Sequence, residues 1–152
     1  MTFRQAVAAC PQLRDHYRQG LGGLGGDRNR VTINNGRLIK GSVNVEMAQR
    51  QAGGEGHTWD YGVGVATAGD DLAIWIEVHS ANSTHVQLVL DKLQSLTTLL
   101  LNHAPELNAL PKRFVWLATG AVYIAPDSRE RRRLNSRGVI LRSKQLDLKS
   151  LL

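Results

Sequence analysis

Apolar residues recur at helical spacing from the start of the chain. Phe3, Val7, Cys10 and Leu13 or Tyr17 fall on one face of residues 2–18, with Pro11 placed to bend or restart the helix. The period then changes. Residues 30–33 and 37–45 flank Asn34-Asn35-Gly36, a turn sequence that predicts a β-hairpin. In its second arm Leu38, Ser42, Asn44 and Glu46 alternate with Ile39, Val43 and Val45, as a half-exposed strand requires. Residues 48–57 are polar and glycine-rich and read as a loop. A second hairpin follows over 59–67 and 71–80, joined at Ala68-Gly69. Ser83 or Thr84 can cap a helix through Asn102, on which Val86, Val89, Leu90, Leu93, Leu96, Leu99 and Leu100 define a broad apolar arc. Pro105 and Pro111 bracket a connector. Residues 113–118 form an aromatic, β-branched strand that 121–125 continues or pairs with. Asp127 or Ser128 can cap a basic helix ending near Gly138, and 139–142 form a last strand. The order of helix, strands, helix, strand, helix, strand predicts an α/β fold with a central mixed sheet flanked by helices.

Composition narrows the class without changing this picture. The 152 residues suit a single domain, residues 1–152, and 42% hydrophobic with 21% charged residues excludes global disorder. Cys10 is the one cysteine, which rules out an internal disulfide and a thiolate zinc cluster. No apolar run approaches a membrane span and no charged-then-apolar signal opens the chain, so the expected location is cytoplasmic, with no membrane partner. Five glycines within residues 20–26 predict a flexible loop. They are not a phosphate-binding loop, because no strand precedes them and no Gly-Lys-Ser/Thr follows.

Charge is unevenly placed. Residues 1–50 hold eight basic and three acidic side chains, residues 51–110 one and seven, and residues 111–152 ten and three. An acidic middle therefore lies between basic flanks, which suits a polyanion such as DNA or RNA. Within the basic region 111–152, Arg129, Arg131, Arg132, Arg133 and Arg137 lie on or beside one short helix, and are the candidate contacts to nucleic-acid phosphates.

The second hairpin carries the candidate chemistry. With a two-residue turn at Ala68-Gly69, Asp60 lies directly opposite Glu77, on the same face, with β-carbons about 5 Å apart. Like charges so placed repel, and a divalent cation bridging them would compensate. His79, two residues beyond Glu77, projects from that face, as does Trp75, whereas Ile74, Ile76 and Val78 line the other. On the following helix Lys92 falls inside the apolar arc, where it must snorkel or meet an anion, and the carboxylate pair is one such anion. Glu46, at the end of the preceding strand, is a further acidic ligand or a surface carboxylate. His57 is three residues before Asp60, and His85 and His103 lie on or at the end of the helix.

Trp59-Asp60-Tyr61, a short hairpin, Ile76-Glu77-Val78-His79 and a long amphipathic helix together resemble the core of PD-(D/E)XK, or restriction-endonuclease-like, nucleases. The resemblance implies an αβββαβ core and metal-dependent hydrolysis of nucleic-acid phosphodiesters with Mg2+ or Mn2+. It implies Asp60 and Glu77 as metal ligands and the Val78 carbonyl as a third. Trp59 stands where the motif name has Pro, and His79 stands where the family has its catalytic Lys. Lys92 is positioned to take over from a helix, as in members that relocate that lysine. As a ligand or base in its own right, His79 would favour manganese or zinc. The catalytic set implied is thus Asp60, Glu77, His79 and Lys92. A single catalytic domain this short often works as a dimer, so a homodimer is the expected partner arrangement. The alternative is a catalytically degenerate member of the fold that binds nucleic acid or protein without cleaving.

Overall fold

The computed structural model describes residues 1–53 and 56–152, and its elements run α1 (Phe3–Ala8), β1 (Tyr17–Arg18), β2 (Val31–Thr32), β3 (Ile39–Asn44), α2 (Val45–Gln51), β4 (Tyr61–Val65) and β5 (Leu72–Asn82), then α3 (Val86–His103), α4 (Pro105–Ala109), β6 (Lys112–Tyr123), α5 (Arg129–Ser136), β7 (Val139–Ser143) and β8 (Leu146–Asp147). Six strands form one mixed sheet in the order β1-β3-β4-β5-β6-β7, and β2 with β8 form a separate parallel pair. β3, β4 and β5 are an antiparallel meander. β6 lies parallel to β5 and β7 parallel to β6, and the crossovers that parallel neighbours need are supplied by α3 and α5. The α/β class with a mixed, helix-flanked sheet is therefore as predicted. No helix among the described residues is long and apolar enough to cross a membrane.

Both faces of the sheet are covered, which explains the nearly unbroken apolar run of β5. On one face Phe3, Val7, Trp75, Trp116 and the seven apolar-arc residues of α3 pack together with Leu107 of α4 and Leu134 of α5. On the other, Val63, Val65, Ile74, Ile76, Val115 and Leu117 meet Leu24, Val31, Leu146, Leu148 and Leu151. The face carrying Trp75 and Glu77 is thus not a solvent face: both residues are buried beneath the helices.

Several local expectations are corrected. The first helix stops at Ala8, before Pro11, and the chain restarts as a 3₁₀ turn at Arg14–His16. Proline lacks the N–H a helix interior needs and disfavours helical geometry in the residue before it. The hairpin at Asn34–Gly36 does not form. A tight hairpin turn of that type needs positive φ at both central residues, but Asn35 has φ −116° and its side chain accepts a hydrogen bond from the Arg37 N–H at 3.1 Å, capping a 3₁₀ turn. Its first arm pairs instead with β8, Val31 beside Leu146. Part of the loop expected over 48–57 is helix α2, capped by the Asn44 side chain, and residues 54–55 lie outside the described residues. The glycine-rich stretch expected as a flexible loop enters 3₁₀ turns over Gly22–Arg30, with Leu24 buried and the Gly23 N–H donating to buried Ser42 Oγ at 2.8 Å. Of the two alternatives for residues 121–125, continuation is the one found, since residues 121–123 extend β6.

Two glycines of β4 let aromatic side chains approach its backbone closely. A Cβ at Gly62 would stand 2.5 Å from the Trp75 ring, and one at Gly64 would stand 2.3 Å from Phe3. Gly64→Ala is therefore expected to lower stability by about 2 kcal/mol through overpacking. Gly120→Ala, where a Cβ meets nothing within 4 Å, is the control and should change little. Urea denaturation of the three proteins checks this, and equal midpoints for both variants would contradict the packing described.

Candidate active site

The β4–β5 ladder runs Tyr61 to Ile76, Gly62 to Trp75 and Val65 to Leu72 without a shift. One step further along the same register, Asp60 faces Glu77, as predicted. The hydrogen bonds fix the two carboxyl groups more closely than strand pairing alone. The Asp60 N–H donates to Glu77 Oε1 at 3.1 Å, and the Val78 N–H donates to Asp60 Oδ2 at 2.9 Å. Each acid is thus held by the other strand's backbone. Val78 therefore enters the site through its amide, in addition to any role for its carbonyl.

Lys92 completes the group. Its Nζ donates to Glu77 Oε2 at 2.6 Å, and its side chain is 18% exposed while that of Glu77 is fully buried. A lysine inside an apolar helical arc needs an anion, and α3 packs that arc on the same sheet face from which Glu77 projects. The carboxylate at the end of β5 is that anion.

Helix α2 brings a further acid. The Asp60 carbonyl accepts hydrogen bonds from the Val45 and Glu46 amides at 2.8 and 3.4 Å, satisfying N–H groups of the first turn that have no partner within the helix. Glu46 is thereby set beside Asp60, and its carboxylate also pairs with Arg50. A cavity of about 120 Å³ opens here, lined by Glu46, Arg50, Gly56, His57, Thr58 and Lys92. It is polar and has room for a few waters, and Lys92 links it to the carboxyl pair, which does not itself line it.

The electrostatics follow from burial. Desolvation is the largest influence on Asp60 and pushes its carboxyl up to about 7, against the lowering effects of the Val78 amide and Lys92. Burial, reinforced by the Asp60 charge, raises Glu77 to about 8 despite the Lys92 hydrogen bond. Burial alone would lower the Lys92 ammonium, but the Glu77 carboxylate outweighs it, with Asp60 and Glu46 behind, and leaves it above the usual lysine value. Lys92 is thus cationic at neutral pH, and both acids hold a proton more readily than solvated carboxyls do, the charge of each raising the other.

The structure brings together Asp60, Glu77, Val78 and Lys92, and His57 lines the cavity. His79 turns away: its Nδ1 bonds the Ser80 carbonyl and its ring packs edge-on against His85. Among the α5 arginines, Arg129, Arg132 and Arg137 are exposed. Arg131 donates to the Ile124 carbonyl at 2.7 Å, which fastens the helix to the preceding loop. Arg133 and Arg137 reach across to Gln87 and Gln94 of α3. Glu46 was expected at a strand end and is in fact on a helix. Asn44, a good N-cap followed by Val45 and Ala48 at helical spacing, was the available signal.

All the donors at the centre are oxygens, which suits a hard divalent cation. Among the described residues no group of three His, Cys, Asp or Glu side chains is arranged to hold an ion. Asp60 and Glu77 are two, and Mg2+ commonly uses one or two carboxylates and keeps its remaining positions for water and substrate phosphate. The residues therefore fit such an ion. No protein-family model, curated protein or solved structure matches the chain.

Asp60 and Glu77 bind protons more tightly folded than unfolded, where such groups titrate near about 4. Their contribution to stability is complete below that value and is lost as the pH rises through about 7 to 8. The metal-free protein should melt at lower temperature at pH 9 than at pH 5.5, and Asp60→Asn should flatten the difference. Lys92→Met should cost about 3 kcal/mol at pH 9, where Glu77 loses its counter-charge, and clearly less at pH 5.5. Calorimetry at the two pH values checks both, and a cost independent of pH would contradict the pairing.

Proposed function

We propose that this chain is a metal-dependent nuclease that hydrolyses phosphodiester bonds of nucleic acid on a restriction-endonuclease-like core. The observation that carries the reading is the pair of buried carboxyl groups, Asp60 and Glu77, held side by side on adjacent strands with Lys92 on Glu77. The element order supports it. Helix α1, the meander β3-β4-β5, helix α3 and parallel strand β6 follow the αβββαβ sequence, with the short strands β1 and β2 inserted after α1, α2 between β3 and β4, and α4 between α3 and β6.

Asp60 and Glu77 would hold Mg2+ or Mn2+, with the Val78 carbonyl available as a third donor. An ion held by these residues would supply polarisation of the scissile phosphate and a more acidic water. Lys92 fixes the orientation of Glu77 and, from the cavity wall, can donate to the attacking water or to a phosphate oxygen. It thereby supplies the ammonium that the family motif places where His79 stands. Glu46 adds a carboxylate at the cavity edge. Beside α3, the exposed Arg129, Arg132 and Arg137 offer a basic surface for the nucleic-acid backbone, and this contact should weaken steeply with salt.

One observation favours the second reading, a relative that binds without cutting. Both Glu77 oxygens already accept hydrogen bonds, one from Lys92 and one from the Asp60 amide. Cleavage assays decide between the two. Plasmid, single-stranded DNA and RNA should be cut with Mg2+ or Mn2+ and spared in EDTA, and Asp60→Asn, Glu77→Gln and Lys92→Met should each slow cutting by about 100-fold or more. Retarded migration without cleavage at any metal concentration would establish the non-cleaving alternative. Cleavage that survives Asp60→Asn would place the chemistry elsewhere.

A further inference from the structure

Away from the carboxylate centre, the sheet ends in a strand with one open edge. β7 closes the order β1-β3-β4-β5-β6-β7 and pairs with β6 alone, from Phe114 beside Val139 to Ala118 beside Ser143. The Lys144 N–H donates to the Ala118 carbonyl at 2.8 Å, so even-numbered peptide groups here face β6. Those of Val139 and Leu141 therefore face outward. The Leu141 carbonyl accepts from the Arg142 guanidinium at 3.2 Å, and no acceptor meets the Leu141 N–H among the described residues.

A cavity of about 480 Å³ runs along this edge, lined by residues 139–142 of β7, by α5, and by the 3₁₀ turn Leu148–Leu151. Val139, Leu141 and Leu151 give it an apolar lining, and Arg113, Arg131 and Arg142 give it charge. Arg113 and Arg142 stand in register with Ile74 and Leu117 and share their face of the sheet, whereas Arg131 comes from α5 on the other face. No acidic side chain lines the cavity, and none of the three arginines pairs with a carboxylate among the described residues. Each guanidinium donates to a main-chain carbonyl, of Lys112, Ile124 or Leu141, which leaves its other N–H groups for an anion.

We infer that the β7 edge is a docking groove for an extended acidic segment of a partner protein, which adds a strand to the sheet. An edge strand presents N–H and C=O groups in alternation, and another polypeptide backbone satisfies both. Phosphates of a nucleic acid would meet the arginines, but they accept without donating and leave the outward Val139 carbonyl unpaired. A second copy of this edge would set the arginines against their own counterparts, and like charges on paired strands repel. Guanidinium groups on both faces suit a chain that passes between them rather than one small ion. In the added strand, residues two apart point to the same face, so acidic side chains at alternate positions fall on the side of Arg113 and Arg142. The inference does not rest on the nuclease reading.

Fluorescence anisotropy of a labelled peptide of alternating glutamate and valine tests it on the full chain, beside Arg142→Glu and a peptide of alternating lysine and valine. The glutamate peptide should bind the wild type, and Arg142→Glu should weaken that binding about tenfold or more. The lysine peptide should prefer the variant, which also shows that the variant is folded. In the wild type, the glutamate peptide should shift the Leu141 amide resonance, and methylating the peptide's main-chain nitrogens should abolish binding. Failure of the glutamate peptide to bind, or equal binding by wild type and Arg142→Glu, would overturn the inference. A Leu141 shift produced by single-stranded DNA and not by the peptide would overturn it in favour of nucleic acid. A Leu141 shift that follows protein concentration alone would overturn it in favour of a second copy.

Discussion

Two carboxyl groups that ought to repel are buried against each other, and much of the architecture around them follows from making that arrangement tolerable. Glu77 is fully buried, Asp60 nearly so, and each accepts a hydrogen bond from the backbone of the other's strand. One ammonium, that of Lys92, reaches them from the helix packed above. A buried ion pair of this kind is poor value for stability, because a well-packed apolar pair would hold the fold at least as well. Its persistence in the middle of a tryptophan-rich core is the reason to look there for chemistry.

The rest of the fold acts as a clamp on that pair. The meander sets the register, and the glycines of β4 allow Trp75 and Phe3 to close over the strand with no gap. Helix α3 spans the same face and delivers Lys92 at the end of the sheet where Asp60 and Glu77 sit, while α2 starts on the Asp60 carbonyl and so brings Glu46 to the cavity.

Much of this was legible in the residue pattern because it is local. The Asp60–Glu77 pairing depends on a turn at Ala68-Gly69 and on strand periodicity, and the apolar arc of α3 on helical periodicity. The anomaly of Lys92 inside that arc pointed to an anion, and the anion is Glu77. What stayed hidden was either long-range or decided by a single backbone angle. Nothing near Val31 indicates a partner more than a hundred residues away in Leu146. Asn34-Asn35-Gly36 reads as a hairpin until Asn35 proves extended and uses its side chain as a cap. Glu46 was mistaken for the end of a strand because the glycines after α2 obscured a helix of only two turns. The direction of His79 depended on His85, six residues on, which strand periodicity alone does not bring near.

Site-resolved carbon NMR of the side-chain carboxyl groups, followed through a pH titration of the chelator-treated protein, tests the central claim most directly. Convergence of Asp60 and Glu77 in a desolvated pocket predicts that both titrate far above ordinary acids, near about 7 and about 8, and respond to one another's protonation. Independent titration of the two groups near about 4, the value of solvated carboxyls, would contradict it.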